Sequence, residues 1–213
     1  GFADTQTLTI VVASTPTAVD STVSQNVLLG QSYSDGISYT SYPAPRYSLH
    51  PGDLLPAGIG LNSVTGTLVG VATQTGTYSF RIDVSTAYAS VTSPTLTVNV
   101  NQAPTPTDST ISNQLHLGGT YSDQVATDAY PAPTYSVTSG SLPTGLSLDA
   151  HTGAITGTSQ AFGDYSFTIT ASNSQGSYTF QTMAIQVGTT PSEPSTANPA
   201  ITFVGRHYDQ AST

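Results

Sequence analysis

The sequence contains an internal repeat. The segment Tyr130–Tyr135 (YPAPTY) matches Tyr42–Tyr47 (YPAPRY) at a distance of 88 residues. Between residues 50 and 56, in a stretch rich in Pro, Gly and Ser, the spacing falls to 87, and the match continues through Phe80 and Phe167. A one-residue deletion is tolerated in a surface loop but not in a packed strand. The chain is therefore built from two copies of one small domain, each large enough to fold alone.

The same repeat predicts how the chain is divided. Thr7–Val12 matches Thr95–Val100, and Thr182–Val187 is a third copy of this terminal strand. The first copy is either the last strand of a preceding repeat or an extra strand that completes the first domain, and its unpaired edge at residues 6–12 would invite pairing between chains. The predicted divisions are residues 1–13 for this strand, 14–101 and 102–188 for the two domains, and 189–213 for a Pro/Ser/Thr linker with the start of a following segment.

The charge excludes one class of partner. Twelve acidic residues stand against three basic ones, Arg46, Arg81 and Arg206, and the formal net charge is -9. Such a chain repels phosphate, so we expect no nucleic-acid partner. No apolar run approaches the roughly 20 residues that span a bilayer, so no direct membrane insertion is expected. Because the sequence has no cysteine, stability must come from packing, hydrogen bonds or a bound ion.

The hydrophobic pattern predicts an all-β fold. Tyr78–Asp83 and Tyr165–Thr170 alternate apolar and polar residues strictly, which is typical of half-buried strands. Seven short strands per copy, separated by turn signals, are the pattern of an antiparallel β-sandwich, and the copies should stand end to end. The strands predicted in the first copy are Val27–Leu29, Tyr47–Leu49, Gly60–Leu61, Thr67–Val69, Tyr78–Val84, Ser90–Val91 and Leu96–Val100.

Three local features refine this prediction. The inward face changes parity within the last strand of the second copy, which indicates a β-bulge near Gln181 and Thr182. A Tyr follows a glycine turn at Tyr78 and Tyr165, as in a tyrosine corner, where the hydroxyl bonds backbone a few residues upstream. The Thr-Gly pairs that end at Gly66 and Gly153 lie where a hairpin needs a positive φ.

The resemblance to a known family rests on three motifs in each copy. They are Leu142–Asp149 (LPTGLSLD), Thr152–Thr158 (TGAITGT) and Phe162–Thr170 (FGDYSFTIT), matched in the first copy by Leu55–Asn62, Thr65–Gly70 and Thr75–Phe80. This pattern resembles the immunoglobulin-like repeats of microbial and phage surface proteins, which are related to cadherin-like domains of dystroglycan. The resemblance implies two tandem immunoglobulin-like sandwiches. The first copy departs from it with Asn62 in place of Asp149.

The function that this resemblance implies is that of a module in a surface protein. Such domains occur in strings on adhesins, secreted enzymes and virion proteins, so we expect an extracellular, cell-surface or virion-surface location and neighbouring domains of the same chain as partners. The linker Val100–Asp108 is short and its prolines favour extended backbone. The simplest function that fits these features is a semi-rigid spacer or stalk with a possible adhesion role.

A bound calcium ion is the first sharper hypothesis. Cadherin-like relatives bind calcium between domains, and calcium prefers six to eight oxygen ligands. Asp20 and Asp108 recur at the start of each copy, and Asp35 and Asp123 recur after a Tyr-Ser pair. The competing interpretation is that isolated aspartates cap turns through their own backbone.

Ligand binding through the Tyr-Pro-Ala-Pro motif is the second sharper hypothesis. Tyr42 and Tyr130, held by prolines, would stack on a carbohydrate or anchor a protein receptor. The competing interpretation is that Tyr47 and Tyr135 point inward and that Tyr42 and Tyr130 merely cover the end of the sandwich.

We expect no enzyme activity and assign no catalytic residue. The four histidines, His50, His116, His151 and His207, are scattered, and the single glutamate, Glu193, lies in the predicted linker. Serines are so frequent that a Ser-His-Asp set chosen from sequence has no meaning without geometry.

Overall fold

The computed structural model describes residues 10–189. This part of the chain forms strands and no helix, and no helix in it is long and apolar enough to cross a membrane. In unit 1 (residues 14–101) the strands are β1 (Thr17–Asp20), β2 (Asn26–Leu28), β3 (Ser32–Gly36), β4 (Ser38–Thr40), β5 (Arg46–Leu49), β6 (Ile59–Leu61), β7 (Thr67–Val71), β8 (Gly76–Phe80), β9 (Ile82–Ser85), β10 (Ser90–Thr92) and β11 (Leu96–Asp108).

Strand β11 continues into unit 2 (residues 102–188). The other strands of unit 2 are β12 (Gln114–His116), β13 (Thr120–Gln124), β14 (Ala126–Tyr130), β15 (Thr134–Gly140), β16 (Leu146–Leu148), β17 (Ala154–Thr158), β18 (Gly163–Asn173), β19 (Gly176–Thr179) and β20 (Met183–Gly188). The predictions for residues 1–9 and 190–213 lie outside the described residues. Residues 10–13 of the predicted terminal strand form no strand.

Each unit is a sandwich of two layers, and the pairing of the strands in these layers recurs between the units. One layer of unit 2 has the order β12-β20-β18-β15, with β19 also on β18, and the other has the order β13-β17-β16. Unit 1 repeats this arrangement with β2, β11, β8, β9, β5 and β10 in the first layer and β3-β7-β6 in the second. The pairs are antiparallel except β2 with β11 and β12 with β20, which are parallel. The predicted all-β class of two tandem sandwiches is confirmed.

The core of each unit comes from alternate residues of the first-layer strands. Phe80, Ile82 and Val84 are buried in unit 1, and Phe167, Ile169 and Ala171 replace them in unit 2. Burying one such large side chain contributes about 1.5–3 kcal/mol. The inward faces therefore follow the alternation that the sequence displays.

The predicted β-bulge appears as a break between β19 and β20. Phe180 and Met183 are both buried, although their spacing of three residues puts them on opposite faces of a regular strand. On β18, the register passes from Thr170 opposite Thr179 to Phe167 opposite Met183. The break lets both halves of the segment face the same core.

Three strands of unit 1 were missed by the prediction. They are β1, β3 and β4, which carry mixed polar residues with weak alternation. Strands β1 and β4 pair with each other and leave most of their side chains exposed. Their formation depends on this backbone pairing, which a hydrophobic pattern does not report.

The predicted single strand Tyr78–Val84 is wrong in unit 1. The structure divides it into β8 and β9 because the Arg81 backbone N–H donates to Asp53 Oδ2 at 2.8 Å. The guanidinium also holds Asp53, through Nε at 3.1 Å and Nη2 at 3.2 Å. In unit 2, Thr168 has the equivalent position and pairs with Ser139, so β18 is continuous.

The predicted turn chemistry is confirmed in both units. Gly66 and Gly153 have φ values of 76° and 74°. The hydroxyl of Tyr78 donates to the carbonyl oxygen of Gln74 at 3.3 Å, and that of Tyr165 donates to the carbonyl oxygen of Ala161 at 3.5 Å. These are the upstream backbone bonds of a tyrosine corner.

The turn at Gly153 provides a stability test. A methyl group added there would meet the Val125 carbonyl oxygen and the Tyr135 ring, whereas Gly118, with φ +75°, has open space around it. We expect Gly118→Ala to cost about 1 kcal/mol for the positive φ alone. Gly153→Ala should cost about 3 kcal/mol because overpacking adds to that strain. Urea unfolding of unit 2 measures both, and equal losses would contradict the close contact.

Candidate functional site

The junction between the two units is organised around β11. Residues 96–100 of this strand pair with β8 of unit 1, and residues 102–108 pair with β14 of unit 2. The register with β14 shifts twice, between Gln102 and Thr105 and between Pro106 and Asp108. Proline lacks an N–H and is tolerated in strands at such irregularities. The sequence predicted extended backbone here, and the structure makes it one strand shared by two sandwiches.

The two tyrosines predicted to bind a ligand have different surroundings. Tyr130 lies at the junction, where its hydroxyl is 2.9 Å from Thr77 Oγ1 of unit 1. Since the Thr77 hydroxyl donates to Asn99 Oδ1 at 2.8 Å, Tyr130 is the donor to Thr77. Tyr42 is 62% exposed. The equivalent positions therefore serve a contact between units in one case and face solvent in the other.

Within unit 2, Asn173 fastens the residue at which β11 enters that unit. Its Nδ2 donates to the carbonyl oxygens of Gln102 and Pro131, both at 2.8 Å. Its Oδ1 accepts the Gln175 backbone N–H at 2.9 Å, which closes the turn between β18 and β19. One side chain thus ties this turn to β11 and to the Tyr-Pro-Ala-Pro segment.

The competing interpretation of the inner tyrosines is confirmed. Tyr47 and Tyr135 are buried, and their hydroxyls accept the backbone N–H groups of Tyr39 at 3.0 Å and Thr127 at 3.1 Å. They hold the start of β5 and β15 to the neighbouring β4 and β14.

Asp20 and Asp108 close turns. Asp20 Oδ1 accepts the backbone N–H of Thr22 at 2.9 Å and its hydroxyl at 2.8 Å. Asp108 Oδ1 accepts the same two donors from Thr110 at 3.1 and 3.0 Å. Asp108 is six residues beyond Gln102 on β11, or about 20 Å along an extended strand. It therefore lies far from the junction at which cadherin-like relatives would hold calcium.

Asp35 and Asp123 belong to a clamp that recurs in both units. Asp35 Oδ2 accepts the Ser24 backbone N–H at 2.6 Å, while the Tyr33 hydroxyl donates to the Ser24 carbonyl oxygen at 2.8 Å. In unit 2, Asp123 and Tyr121 hold Ser112 in the same way, at 2.7 and 2.7 Å. The clamp fastens the loop before β2 or β12 to the second layer.

Both members of the clamp have shifted pKa values. The hydrogen bond from the Ser24 side chain, followed by those from the Ser24 and Gly36 backbones, lowers the pKa of Asp35. Burial opposes a low pKa for Asp123, but the Ser112 and Gln124 bonds outweigh it and the net shift is downward. Burial, together with the nearby aspartate, raises the pKa of the Tyr33 and Tyr121 phenols to about 12.

The recurring aspartates are already hydrogen-bonded within turns and clamps. Within residues 10–189, no group of three or more His, Asp or Glu side chains is placed to hold a metal ion. Both Asp35 oxygens are already acceptors, for Ser24 and for Gly36 at 2.7 Å. The recurrence of these residues has a sufficient explanation in turns and clamps.

A charged network that the sequence did not reveal lies in unit 1. His50 Nδ1 is 2.9 Å from Asp83 Oδ1, which also accepts the Thr92 hydroxyl at 2.7 Å. The hydrogen bond from His50, then that from Thr92, lowers the pKa of Asp83. The Arg81 guanidinium likewise lowers the pKa of Asp53.

In unit 2 a neutral ladder replaces this network. Thr138 Oγ1 is 2.9 Å from Thr170 Oγ1, which is 3.0 Å from Thr179 Oγ1. These three positions are equivalent to His50, Asp83 and Thr92. Hydroxyl pairs across strands support the same sheet without charge. The charged residues of unit 1 therefore have the same structural role as the threonines of unit 2.

Two equivalent surface grooves lie beside the breaks in the last strands. The groove of unit 1 measures about 260 Å³ and is lined by Ser21, Gln25, Pro94 and neighbouring residues. That of unit 2 measures about 290 Å³ and is lined by Ser109, Asn113, Gln181 and neighbouring residues. Their linings consist of neutral side chains, with none of the acid-base groups that general acid-base catalysis uses.

The comparison with family models matches the chain twice. The family described as "Putative Ig domain" covers residues 4–101 and 102–188. The chain belongs to this family. The comparison with curated proteins found no match. The relation of these Ig domains to cadherin-like and dystroglycan domains stays a prediction.

Several solved structures similar to this chain are themselves tandems of Ig domains. A titin A168169 structure has a TM-score of 0.57 and 14% identity, covering 82% of this chain and 100% of its own. Sidekick-1 immunoglobulin domains 1-4 have a TM-score of 0.55 and 15% identity, covering 83% and 49%. The insect immune protein hemolin has a TM-score of 0.50 and 18% identity, covering 81% and 47%. At these identities the similarity shows the fold alone.

The chain spans only part of the length of some of these structures. The chain spans 66% of a titin I-band fragment and 49% of the Sidekick-1 chain.

The residues that form the Ig–Ig junction were missed by the sequence interpretation. Thr77, Asn99 and Gln102 lie on β8 and β11, and Asn173 is the last residue of β18 in unit 2. Asn173 stands where unit 1 has Thr86. This difference between the two copies is the sequence signal that could have identified it.

Acid should destabilise unit 1 through Asp83. A pKa that is lower in the folded than in the unfolded state contributes stability above the unfolded pKa, and this contribution is lost as the pH falls below about 4. We expect the melting temperature of Asp83→Asn to fall less between pH 6 and pH 3 than that of the parent chain. The exposed Asp164→Asn is the control, with a parental fall. An unchanged fall for Asp83→Asn would refute the role of this carboxylate.

Calcium should leave the stability unchanged. A ligand that binds only the folded state raises the melting temperature, and the carboxylates of the Ig units offer no cluster for it. Thermal unfolding of the full chain with added calcium and with chelator should give the same midpoints. A higher midpoint in calcium would restore Asp20, Asp35, Asp108 and Asp123 as candidate ligands.

Proposed function

We propose that the two Ig units form a non-catalytic, semi-rigid spacer in a surface-exposed protein, extracellular or on a virion. The observation that carries this proposal is the continuous strand β11 (Leu96–Asp108), which belongs to both sandwiches. A flexible linker adds conformational freedom between domains. A strand that is paired on both sides of the boundary removes this freedom, and a spacer needs that property.

The side-chain contacts support the same proposal. The bond between Tyr130 and Thr77 crosses the boundary beside β11. The two bonds of Asn173 lie within unit 2 and fasten Gln102, where β11 enters that unit. Each neutral hydrogen bond contributes about 1 kcal/mol net. Domain interfaces that are small and polar permit relative motion by default, so these few bonds would set the stiffness of the junction.

The proposed location on a cell or virion surface rests on the resemblance to immunoglobulin-like repeats of surface proteins. The partners expected from the proposal are neighbouring domains, which the spacer holds at a fixed distance. The acidic surface, with a formal net charge of -9, keeps such a spacer soluble and away from nucleic acid.

Adhesion to a carbohydrate or protein receptor is the alternative, and it rests on Tyr42. Tyr130 is engaged with Thr77, so the Tyr-Pro-Ala-Pro motif does not present the same surface in both units. An adhesive function would therefore use one end of unit 1 rather than a repeated array of sites.

Distance measurements between the units test the spacer. The chain has no cysteine, so Val64→Cys and His151→Cys, on equivalent exposed turns, accept two spin labels without competition. We expect one narrow distance peak, because β11 and the junction bonds fix one orientation. Asn173→Ala should broaden this peak, since it removes the bond that fastens Gln102, the first residue of β11 in unit 2, to the rest of that unit.

The matched control is Thr86→Ala. Thr86 has the equivalent place in unit 1 and closes the turn to Ala89 within that unit, so its loss should leave the peak narrow. A broad peak in the parent chain would refute the spacer.

A further inference from the structure

The end of unit 1 that carries Tyr42 is equivalent to the end of unit 2 that docks on unit 1. The Ser14 backbone N–H donates to the Tyr42 carbonyl oxygen at 2.9 Å, and the Tyr42 N–H donates to Ser14 Oγ at 2.9 Å. In unit 2, Gln102 pairs with Tyr130 at the equivalent position. Residues 14–20 therefore run along unit 1 as residues 102–108 run along unit 2.

The register of the two ends agrees beyond this first pair. Thr17 lies opposite Thr40 in β1 and β4, and Thr105 lies opposite Asp128 in β11 and β14. Pro16 and Pro104, at equivalent positions, are both buried. Residues 14–20 thus enter unit 1 along the same path by which residues 102–108 enter unit 2.

The side chains at this end of unit 1 are apolar and exposed. Ile10 and Val12 are 78% and 79% exposed, and Tyr42 and Tyr88 are each 62% exposed. We call these four residues the entry face. Tyr88 lies in the turn between β9 and β10, which is equivalent to the turn of Asn173 at the junction. Large exposed apolar groups at the end of a unit indicate an interaction surface.

The residues equivalent to Ile10 and Val12 at the end of unit 1 are buried in its core. They are Val98 and Val100, which are 1% and 0% exposed in the core of unit 1. A strand that alternates in this way is suited to complete a sheet by pairing along its edge. A carbohydrate site instead needs polar groups placed beside its aromatic rings, and aliphatic Ile10 and Val12 do not supply them.

We propose that the entry face docks a further Ig unit of the same repeat type, joined end to end through residues 10–13. This unit would take Ile10 and Val12 into its core as a last strand. It would present a hydroxyl at the position of Thr77 to the hydroxyl of Tyr42. The inference rests on the proposed spacer function and names the partner of its free end.

An extended chain tests this inference. A copy of residues 14–94 inserted between Gln6 and Thr7 supplies the preceding unit and lets Ile10 and Val12 take the places of Val98 and Val100 in it. Thr77 of the copy then faces Tyr42 of the original unit. Spin labels at Val64→Cys in the copy and in the original unit measure the new junction. Labels at Val64→Cys of the original unit and His151→Cys measure the existing junction in the same protein.

We expect a narrow distance peak at both junctions, with similar mean distances. Tyr42→Ala in the original unit should abolish the narrow peak of the new junction only, and Tyr42→Phe, which removes just the hydroxyl, should broaden it. In the chain without the insert, both substitutions at this exposed residue should leave the melting temperature and the existing peak unchanged.

Each contrary result has a distinct meaning. A broad new junction beside a narrow existing one would overturn the inference and leave the spacer function intact. Two broad junctions would overturn the spacer function itself. A narrow new junction that is insensitive to Tyr42→Ala would also overturn the inference, and would leave the entry face to another occupant such as a carbohydrate.

Discussion

The strand β11 is the constraint on which the relation of the two units depends. Its first residues complete a sheet of unit 1, and its last residues pair with β14 of unit 2. The backbone hydrogen bonds of one sandwich thus begin where those of the other end. The side chains that meet beside it, Tyr130 with Thr77 and Asn173 with Gln102, add only a few bonds. They act on a boundary that the shared strand has already made short and extended.

Within each unit the recurring polar residues stabilise loops. The pair Tyr33 and Asp35 holds both backbone groups of Ser24, and Tyr121 and Asp123 hold Ser112 in the same way. A repeated aspartate suggests a calcium site when only the sequence is known. The carboxylate oxygens accept backbone N–H groups instead, so repetition of a residue marks repetition of a loop and need not mark a ligand site.

The two copies show which parts of the design tolerate change. His50, Asp83 and Thr92 form a charged network in unit 1, whereas three threonines form the equivalent ladder in unit 2. The sheet beneath is the same because surface pairs across strands contribute little compared with the buried face. Most core positions, in contrast, keep an apolar residue in both units, such as Val84 and Ala171 or Val98 and Ile185.

The sequence by itself determined the repeat, the all-β class, the inward faces and the turns at Gly66 and Gly153, because alternation and turn chemistry act between near neighbours. It did not determine β1, β3 and β4, the break at Arg81 or the clamp on Ser24. It also assigned Tyr42 and Tyr130 one common role. Those features depend on partners far apart in the chain: Asp53 lies 28 residues from Arg81, and Thr77 lies 53 residues from Tyr130. Only the folded sandwiches bring such groups together. Tertiary structure alone therefore decided that Tyr130 bonds Thr77 of the other unit and that Tyr42 is exposed to solvent.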